Sequence, residues 1–180
     1  MTPLPNAYAP PVHPVSDLTR FTAQISGLAA LIFSGAIFGF FYAWVCSTMW
    51  GLDTIDPRVA IQAMQAMNGS VRNAVFAPAF FGTPFVLWIA ALLAWKCNRS
   101  PSVVAFGIGG LVYALGGMIL TMSVNVPMNE ALGRLIVPTD IDAAQAIWDA
   151  YSGKWQIYNI TRTAFSGVTL ALAGVGLMRL

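Results

Sequence analysis

Hydrophobic residues along this chain of 180 residues fall into four long apolar stretches separated by polar segments. The stretches cover about residues 21–50, 74–95, 103–124 and 157–178. At 1.5 Å per residue, a helix of about 22 residues reaches about 33 Å, which matches a hydrocarbon core of roughly 30 Å. The stretches lack the alternation of β-strands, and lipid offers no partner to unpaired backbone groups. The pattern therefore predicts an all-α fold, a four-helix transmembrane bundle.

Turn residues predict a short helix in the loop between the first and second stretches. Asp56 can cap a helix N-terminus, and Pro57 suits the first helical turn. Gly69, directly after Asn68, suits the C-terminal end of the same helix. We therefore expect an amphipathic helix over residues 57–68, outside the membrane.

The loop between the third and fourth stretches predicts a second amphipathic helix. Residues 138–140 contain a proline, a threonine and an aspartate that can begin it, and Gly153 lies near its expected end. Apolar residues share one face of this helix, namely Ile141, Ala144, Trp148 and Tyr151. Because the spans alternate in direction, both long loops and both short helices are expected on the same side of the membrane.

Residues 1–20 differ from the rest of the chain because they hold five of its eleven prolines. Proline at this density favours extended, unpacked backbone. We expect a flexible tail here, followed by one transmembrane domain over residues 21–180. The tail lacks the basic start, short apolar core and small-residue cleavage site of a secretory signal peptide.

Charge at the ends of the spans predicts the orientation. The side with the termini and the short turn has four basic residues and one acidic residue. The long-loop side has five basic residues and six acidic residues. Net charge therefore favours the termini inside, although the raw count of lysine and arginine does not. We expect a multi-pass protein of the cell membrane with both termini in the cytoplasm.

Composition excludes several classes of protein. Only 9% of the residues are charged, against roughly 25% in soluble domains. The hydrophobic fraction of 57% excludes a disordered chain. The net charge is +2 and no two basic residues are adjacent, so no nucleic-acid partner is expected. Membrane lipids are the expected surroundings.

Few residues suit metal or redox chemistry. His13 is the one histidine and lies in the tail, and Cys46 and Cys97 lie on different stretches without the spacing of a redox pair or a zinc site. Met64 and Met67 have a spacing that would suit Cu(I), but thioethers more often fill irregular gaps in a core. We predict no metal site.

Glycines occur repeatedly in two of the predicted spans, where the lack of a side chain makes the helix narrower. Gly35 and Gly39 form a GxxxG pair in the first stretch, a pattern that lets helices approach closely in lipid. Five more occur in the third stretch, at Gly107, Gly109, Gly110, Gly116 and Gly117. We interpret them as packing sites.

Polar side chains gather where the last three stretches meet the long loops. An arginine at a helix centre in the membrane is unfavourable by about 2.5–3.5 kcal/mol, so such positions are informative. The cluster comprises Arg72, Asn73, Asn125, Asn129, Trp155, Tyr158, Asn159 and Arg162. Pro127 is expected to loosen the third helix beside it. The pattern predicts a pocket near the outer face with Phe80, Phe81 and Phe85 as apolar walls.

Packing alone offers an alternative explanation for these residues. Arg72 and Arg162 could extend to the interface or pair with acidic residues, and asparagines often join membrane helices. Glu130 precedes Arg134 by four residues, the spacing of an exposed helical ion pair.

Three segments resemble the motifs of a known family. They are VRNAVFAPAFFGTP at residues 71–84, NVPMNEAL at 125–132 and WQIYNITRT at 155–163. Together they resemble the anthrone oxygenase-like family of small integral membrane proteins, whose bacterial members are mostly of unknown function. The resemblance covers roughly residues 20–180.

The resemblance implies an oxygenase that converts an anthrone to an anthraquinone with O₂ and without metal or organic cofactor. An anthrone that loses a benzylic proton becomes an electron-rich enolate, so the protein need supply a base, anion stabilisation and orientation. The catalytic residues implied are Arg72, Asn125, Asn129 and Arg162 for the enolate oxygen, with Glu130 or Asp149 as the base. The substrate-binding residues implied are Asn73, Phe81, Trp155, Tyr158 and Asn159.

A non-catalytic membrane protein is the competing interpretation. It would use the same pocket to bind a lipid, a quinone or a membrane-protein partner. Either interpretation predicts a hydrophobic aromatic or lipid-like small molecule as the ligand, and the sequence leaves a homo-oligomer open.

Overall fold

The protein is described by a computed structural model that covers residues 15–180. Most of the predicted tail of residues 1–20, including His13, lies outside the described residues. The first helix begins at Asp17 and is capped by Ser16, whose side chain accepts a hydrogen bond from the backbone N–H of Thr19. The last four residues of the predicted tail are therefore helical, because Ser16 supplies an N-cap that the proline count did not reveal.

Five helices make up the described part of the chain. They are α1 (Asp17–Leu52), α2 (Pro57–Ser70), α3 (Phe76–Lys96), α4 (Ser100–Gly133) and α5 (Ile141–Met178). All but α2 are long and apolar enough to cross a membrane. The predicted all-α bundle with four spanning helices is confirmed, and α2 is the short helix predicted in the first long loop.

The four long helices form a closed ring of antiparallel neighbours. Helix α1 packs against α3 and α5, and α4 packs against the same two helices from the other side. Helix α2 lies at the end of the bundle where α1 ends, and it contacts α4 and α5. Both long loops are thus at one end, as the alternation of spans predicted.

The second predicted loop helix is not a separate element. Asp140 caps its start by accepting hydrogen bonds from the backbone of Asp142 and Ala143, as expected. The helix then continues through Gly153 to Met178 as one helix of 38 residues. Gly153 does not end it because no close approach or turn requires a glycine there. The buried face continues across that position, from Tyr151 and Ser152 to Trp155.

Helix α4 widens before Pro127 and does not break at it. Residues Tyr113–Ile119 and Thr121–Asn125 form π-helical turns, and a regular α-helical segment begins at Val126. Pro127 is in the first turn of that segment, where a missing N–H and a fixed φ are tolerated. The predicted loosening is therefore displaced toward the middle of the helix, where the turns are wider.

A proline in α3 creates the strongest polar link between α3 and α4. Pro84 lies inside α3 and has no N–H to donate to the carbonyl of Phe80, four residues earlier. The hydroxyl of Tyr113 donates to that carbonyl instead, at 2.9 Å. Helix α3 is continuous from Phe76 to Lys96.

The two ends of the bundle have different cores. At the closed end, which holds the turn 97–99 and the C-terminus, the core is small and apolar: Ala30, Leu87, Ala90, Ala91, Ala94, Phe106 and Ala173. At the loop end, which holds α2, the core is larger and richer in aromatic and sulfur-containing residues: Met49, Leu52, Ala60, Ile61, Met64, Leu132, Ala144, Trp148, Tyr151 and Trp155. Met64 is therefore part of a hydrophobic core, which agrees with the prediction that this methionine fills a gap in the core.

Glycines permit close packing in the middle of the bundle and at its closed end. In the middle, a Cβ atom added at Gly110, Gly116 or Gly117 would overlap Trp88, Phe165 or Tyr113, so these predicted packing sites are confirmed. A Cβ atom placed at Gly176 would lie 2.8 Å from the buried ring of Phe106, so the helices approach closely there. The predicted GxxxG pair is different. A Cβ at Gly35 would only reach ordinary contact with Leu170 at 3.8 Å, and no described atom lies within 4 Å of one at Gly39. That pair makes no close helix contact within the described chain.

Candidate functional site

A cavity of about 560 Å³ opens at the loop end of the bundle. This volume is within the range of roughly 300–1,000 Å³ that is usual for small-molecule sites. Seven aromatic residues line it: Phe40, Phe41, Trp44, Phe76, Phe80, Phe81 and Trp155. Polar side chains occupy its base and its rim: Asn68, Arg72, Asn73, Thr121, Asn129, Glu130 and Arg162.

Arg162 lies at the base of this cavity and is only 5% exposed. Its Nε donates to Oδ1 of Asn159 at 2.9 Å, and its Nη1 donates to the hydroxyl of Thr121 at 3.3 Å. Its Cζ lies 4.3 Å from the ring centroid of Phe41 and 5.0 Å from that of Trp155. Hydrogen bonds and two ring faces thus fix the plane of the guanidinium.

No carboxylate compensates the charge of Arg162 within residues 15–180. The ion pairs described there join Asp56 to Arg58, and Glu130 to Arg72 and Arg134. A guanidinium remains protonated in proteins, and burying a charge without a counterion is strongly unfavourable. The base of the cavity is therefore an electropositive point that favours an anionic oxygen of a ligand.

Asn129 presents its amide nitrogen as a further donor. Its Oδ1 accepts from Nε1 of Trp155 and from the hydroxyl of Tyr151, both at 2.8 Å. The indole N–H can only donate, so the amide atom that faces it must be the oxygen. The NH₂ group then remains for a ligand oxygen in the cavity that Asn129 lines.

Asn125 lies on the same face of α4 as Thr121 and Asn129, four residues from each. It is fully buried, and neither its amide oxygen nor its amide nitrogen has a hydrogen-bond partner among the described residues. It does not line the cavity itself. An unpaired buried amide is unfavourable by about 1–3 kcal/mol, so this position does not serve stability.

The rim of the cavity carries an exposed ion pair. Nη2 of Arg72 lies 3.2 Å from Oε1 of Glu130, with side chains 58% and 42% exposed. Pairs with this exposure contribute little to stability. Asn73 beside them accepts hydrogen bonds from the backbone N–H groups of Val75 and Phe76, so it also holds the first turn of α3.

Most of the residues predicted from sequence converge on this cavity. Eight line it: Arg72, Asn73, Phe80, Phe81, Asn129, Glu130, Trp155 and Arg162. Asn125 and Asn159 are buried beside it, and Nδ2 of Asn159 also donates to the backbone carbonyl of Phe41 at 3.2 Å. They act behind the cavity surface.

Three predicted residues lie elsewhere. Tyr158 is 37% exposed on the outside of α5, and Phe85 is 57% exposed on the outside of α3. Asp149 lies in a separate shallow depression with Asp53, and its carboxylate accepts from Gln145. The helical positions of these side chains direct them away from the cavity, so the structure excludes them from its lining.

The contribution of α1 was missed. Phe40, Phe41 and Trp44 form one wall, but they lie in a uniformly apolar stretch where no polar residue indicates a site. Thr121, the hydroxyl partner of Arg162, was missed because a threonine in a span usually bonds its own backbone. A weak signal was available, since the aromatic residues cluster toward the long-loop end of the first stretch.

Comparison with known families gives one match that is relevant to this cavity. A family model described as anthrone oxygenase matches residues 72–172, which include α3, α4 and most of α5. The match starts at the rim arginine and includes every predicted site residue. No curated protein and no solved structure shows a significant match to the chain.

Proposed function

We propose that this protein oxidises an electron-rich polycyclic phenol of the anthrone type with O₂ in the loop-end cavity. The proposal follows from its family, because the chain belongs to the anthrone oxygenase family. The observation that carries this proposal is the buried, uncompensated guanidinium of Arg162 at the base of an aromatic-walled cavity. This arrangement suits a flat, fused-ring ligand that becomes an anion during the reaction.

The overall reaction converts a ring CH₂ group to a carbonyl. Loss of one benzylic proton gives the enolate, and the enolate transfers an electron to O₂ to form a carbon radical and superoxide. The two recombine to a peroxide anion, which takes up one proton to become a hydroperoxide and then loses water. One oxygen atom of O₂ enters the new carbonyl and the other leaves in water with the two ring hydrogens, so the protein supplies no electrons.

The residues of the cavity have distinct roles in this proposal. Arg162 and the amide nitrogen of Asn129 stabilise the enolate oxygen. Phe41 and Trp155 hold the fused rings between the cavity walls. Stabilising the enolate in a water-poor site lowers the barrier to its formation, and removal of one such donor typically slows a reaction about 10²–10³-fold.

Glu130 is the base in this proposal. It lines the cavity at the rim, whereas Asp149 lies in another depression. Its two arginine neighbours, Arg72 and Arg134, hold the carboxylate at the edge of α4. A proton that it accepts there can pass directly to water, since the side chain is 42% exposed.

The test uses purified protein in lipid nanodiscs with emodin anthrone and oxygen. We expect quinone formation above the spontaneous rate, and a loss of about 10²–10³-fold in Arg162→Leu. Lys154→Leu is the matched control, because it removes an exposed cation from the same helix. A folded Arg162→Leu protein with unchanged turnover contradicts the site. Binding of the anthrone without conversion in the unmodified protein favours the non-catalytic alternative.

We also propose that both termini face the cytoplasm and that the cavity opens near the outer face of the cell membrane. The support is the excess of basic over acidic residues at the closed end, because positive charge near span ends is retained in the cytoplasm. A fluorescent reporter fused to the C-terminus should be active inside cells. A periplasm-dependent phosphatase that is active when fused to Leu180 contradicts this orientation.

A further inference from the structure

Helices α3 and α4 are packed together at the closed end and separate toward the loop end. Helix α3 contacts the Ser100–Val112 and Tyr113–Ile119 segments of α4. The next two segments of α4, Thr121–Asn125 and Val126–Gly133, contact α5, and α2 packs on Val126–Gly133. Helix α3 makes at most marginal contact with these two segments.

The separation coincides with a change of helix geometry in α4. Two π-helical runs, Tyr113–Ile119 and Thr121–Asn125, add a residue to successive turns of α4 where its contact with α3 is lost. The hydrogen bond from Tyr113 to the carbonyl of Phe80 lies where the π-helical part begins. It joins the two helices at the lower boundary of the gap.

The gap connects the cavity with the outside of the bundle. Ala77 and Phe81 of α3 and Met122 and Val126 of α4 all line the cavity. Phe81 is also 47% exposed and Met122 46% exposed, so these side chains have one surface toward the cavity and one toward the surroundings. We call these four residues the α3–α4 portal.

The length of α3 places Phe81 of the portal inside the expected hydrocarbon core. Helix α3 has 21 residues, so it is about as long as that core is thick. Phe81 is five residues after the start of α3 at Phe76, or about 7.5 Å along the helix axis. All four portal side chains are apolar. The aqueous rim, in contrast, carries the charged side chains of Arg72 and Glu130.

We propose that the portal admits flat aromatic molecules sideways from the bilayer into the cavity, so that the natural substrate is a membrane-dissolved polycyclic phenol and not a water-soluble one. This inference rests on the proposed function, because it concerns the ligand of the same cavity. A fused-ring molecule concentrates in hydrocarbon, and lateral access spares it the charged rim. It enters with its apolar edge against Phe81 and Met122, and its oxygen then reaches Arg162.

The test measures binding rates and not turnover. Emodin, a stable quinone, is mixed with the protein in nanodiscs, and the saturable absorbance change is followed by stopped flow. Met122→Trp narrows the portal, and we expect both the association and the dissociation of emodin to slow by roughly tenfold. Phe81→Ala widens the portal and should accelerate both rates. Ile89→Trp, which adds the same ring to an exposed position lower on α3, should change neither.

Three outcomes overturn the portal. Rates that are unchanged in both Met122→Trp and Phe81→Ala contradict it. If Met122→Trp slows only association or only dissociation, so that Kd changes by the same factor, the result contradicts it as well. If the association rate of emodin rises in Arg72→Ala and changes in neither Met122→Trp nor Phe81→Ala, emodin enters through the aqueous rim. If Met122→Trp does not fold, Phe81→Ala decides the question alone.

The outcome also separates this inference from the proposed function. Portal-dependent binding of emodin without oxidation of emodin anthrone supports lateral access and refutes the oxygenase. Oxidation of emodin anthrone by a protein whose binding rates do not depend on the portal supports the oxygenase and refutes lateral access.

Discussion

The closed end and the loop end of this bundle differ in packing and in the polarity of their buried residues. At the closed end, alanine and leucine form the core, and Gly176 lets α5 approach Phe106. At the loop end, Arg162 and Asn125 are buried, π-helical turns widen α4, and a cavity remains. Because lipid is as apolar as leucine, close contact between helices must supply stability in the membrane. The closed end and the middle of the bundle supply it, and the loop end holds unpaired buried polar groups that destabilise the fold.

Overpacking the closed end should give the largest change in stability. Gly176→Val places methyl groups against the buried ring of Phe106, and we expect a loss of about 1–3 kcal/mol in the free energy of unfolding. Gly39→Val is the matched control, since it makes the same change in helix propensity where no described atom lies within 4 Å. Denaturant unfolding in detergent micelles measures both. Equal losses in the two variants would contradict the assignment of close packing to the closed end.

Replacing Asn125 should raise stability at the loop end. Asn125→Leu removes two unpaired buried polar atoms, and we expect the protein to become more stable by about 1 kcal/mol. Ser102→Ala makes the corresponding change at the closed end, where the buried hydroxyl also has no described partner, and it should likewise not lower the stability. Weaker unfolding stability in Asn125→Leu would show that its amide serves the fold.

The boundary between the two ends can be weakened directly. Tyr113→Phe removes the hydroxyl that donates to the carbonyl of Phe80, and we expect a loss of about 1 kcal/mol because the carbonyl stays buried. Helices α3 and α4 should also separate more easily, so emodin should associate faster. Thermal unfolding and stopped flow measure the two effects. Slower association would mean that this link opens the portal and does not limit it.

The smallest effect should come from pH at helix α2. Hydrogen bonds from Arg58 lower the pKa of Asp56 from 3.8 to about 2. Because the folded pKa is below the unfolded one, the stabilisation is complete above about pH 4 and is lost as the pH falls through about 2. Hydrogen exchange of the α2 amides should therefore accelerate over that range. In Asp56→Asn the exchange should not change with pH in this way, and an unchanged pH dependence would remove Asp56 as its cause.

The bundle could be predicted from sequence because span length and hydrophobicity depend on composition alone. Caps at Asp56 and Asp140 also gave the starts of two helices correctly. The end of the second loop helix was wrong because a glycine is a permissive residue and not an obligatory stop. The π-helical turns of α4 carry no reliable sequence signal, so the gap beside α3 could not be foreseen.

The candidate site was predictable where polar residues stand out against an apolar background. Arg162 and Asn129 were identified in this way, and both line the cavity. Phe41 and Trp44 were not, because an aromatic residue in a span has the same sequence environment whether it faces lipid or a cavity. Tyr158 was placed in the site by its position beside Asn159, but one residue on a helix turns the side chain by about 100°.

The ionisation state of a bound phenol tests the central claim most directly, because it reports the electropositive base of the cavity without turnover. The absorption spectrum of emodin saturating the protein in nanodiscs should be that of the anion at a pH where emodin in empty nanodiscs is neutral. In Arg162→Leu the bound spectrum should return to the neutral form, while Lys154→Leu keeps the anionic one. A neutral spectrum in the unmodified protein, or an anionic spectrum that persists without Arg162, would contradict the account.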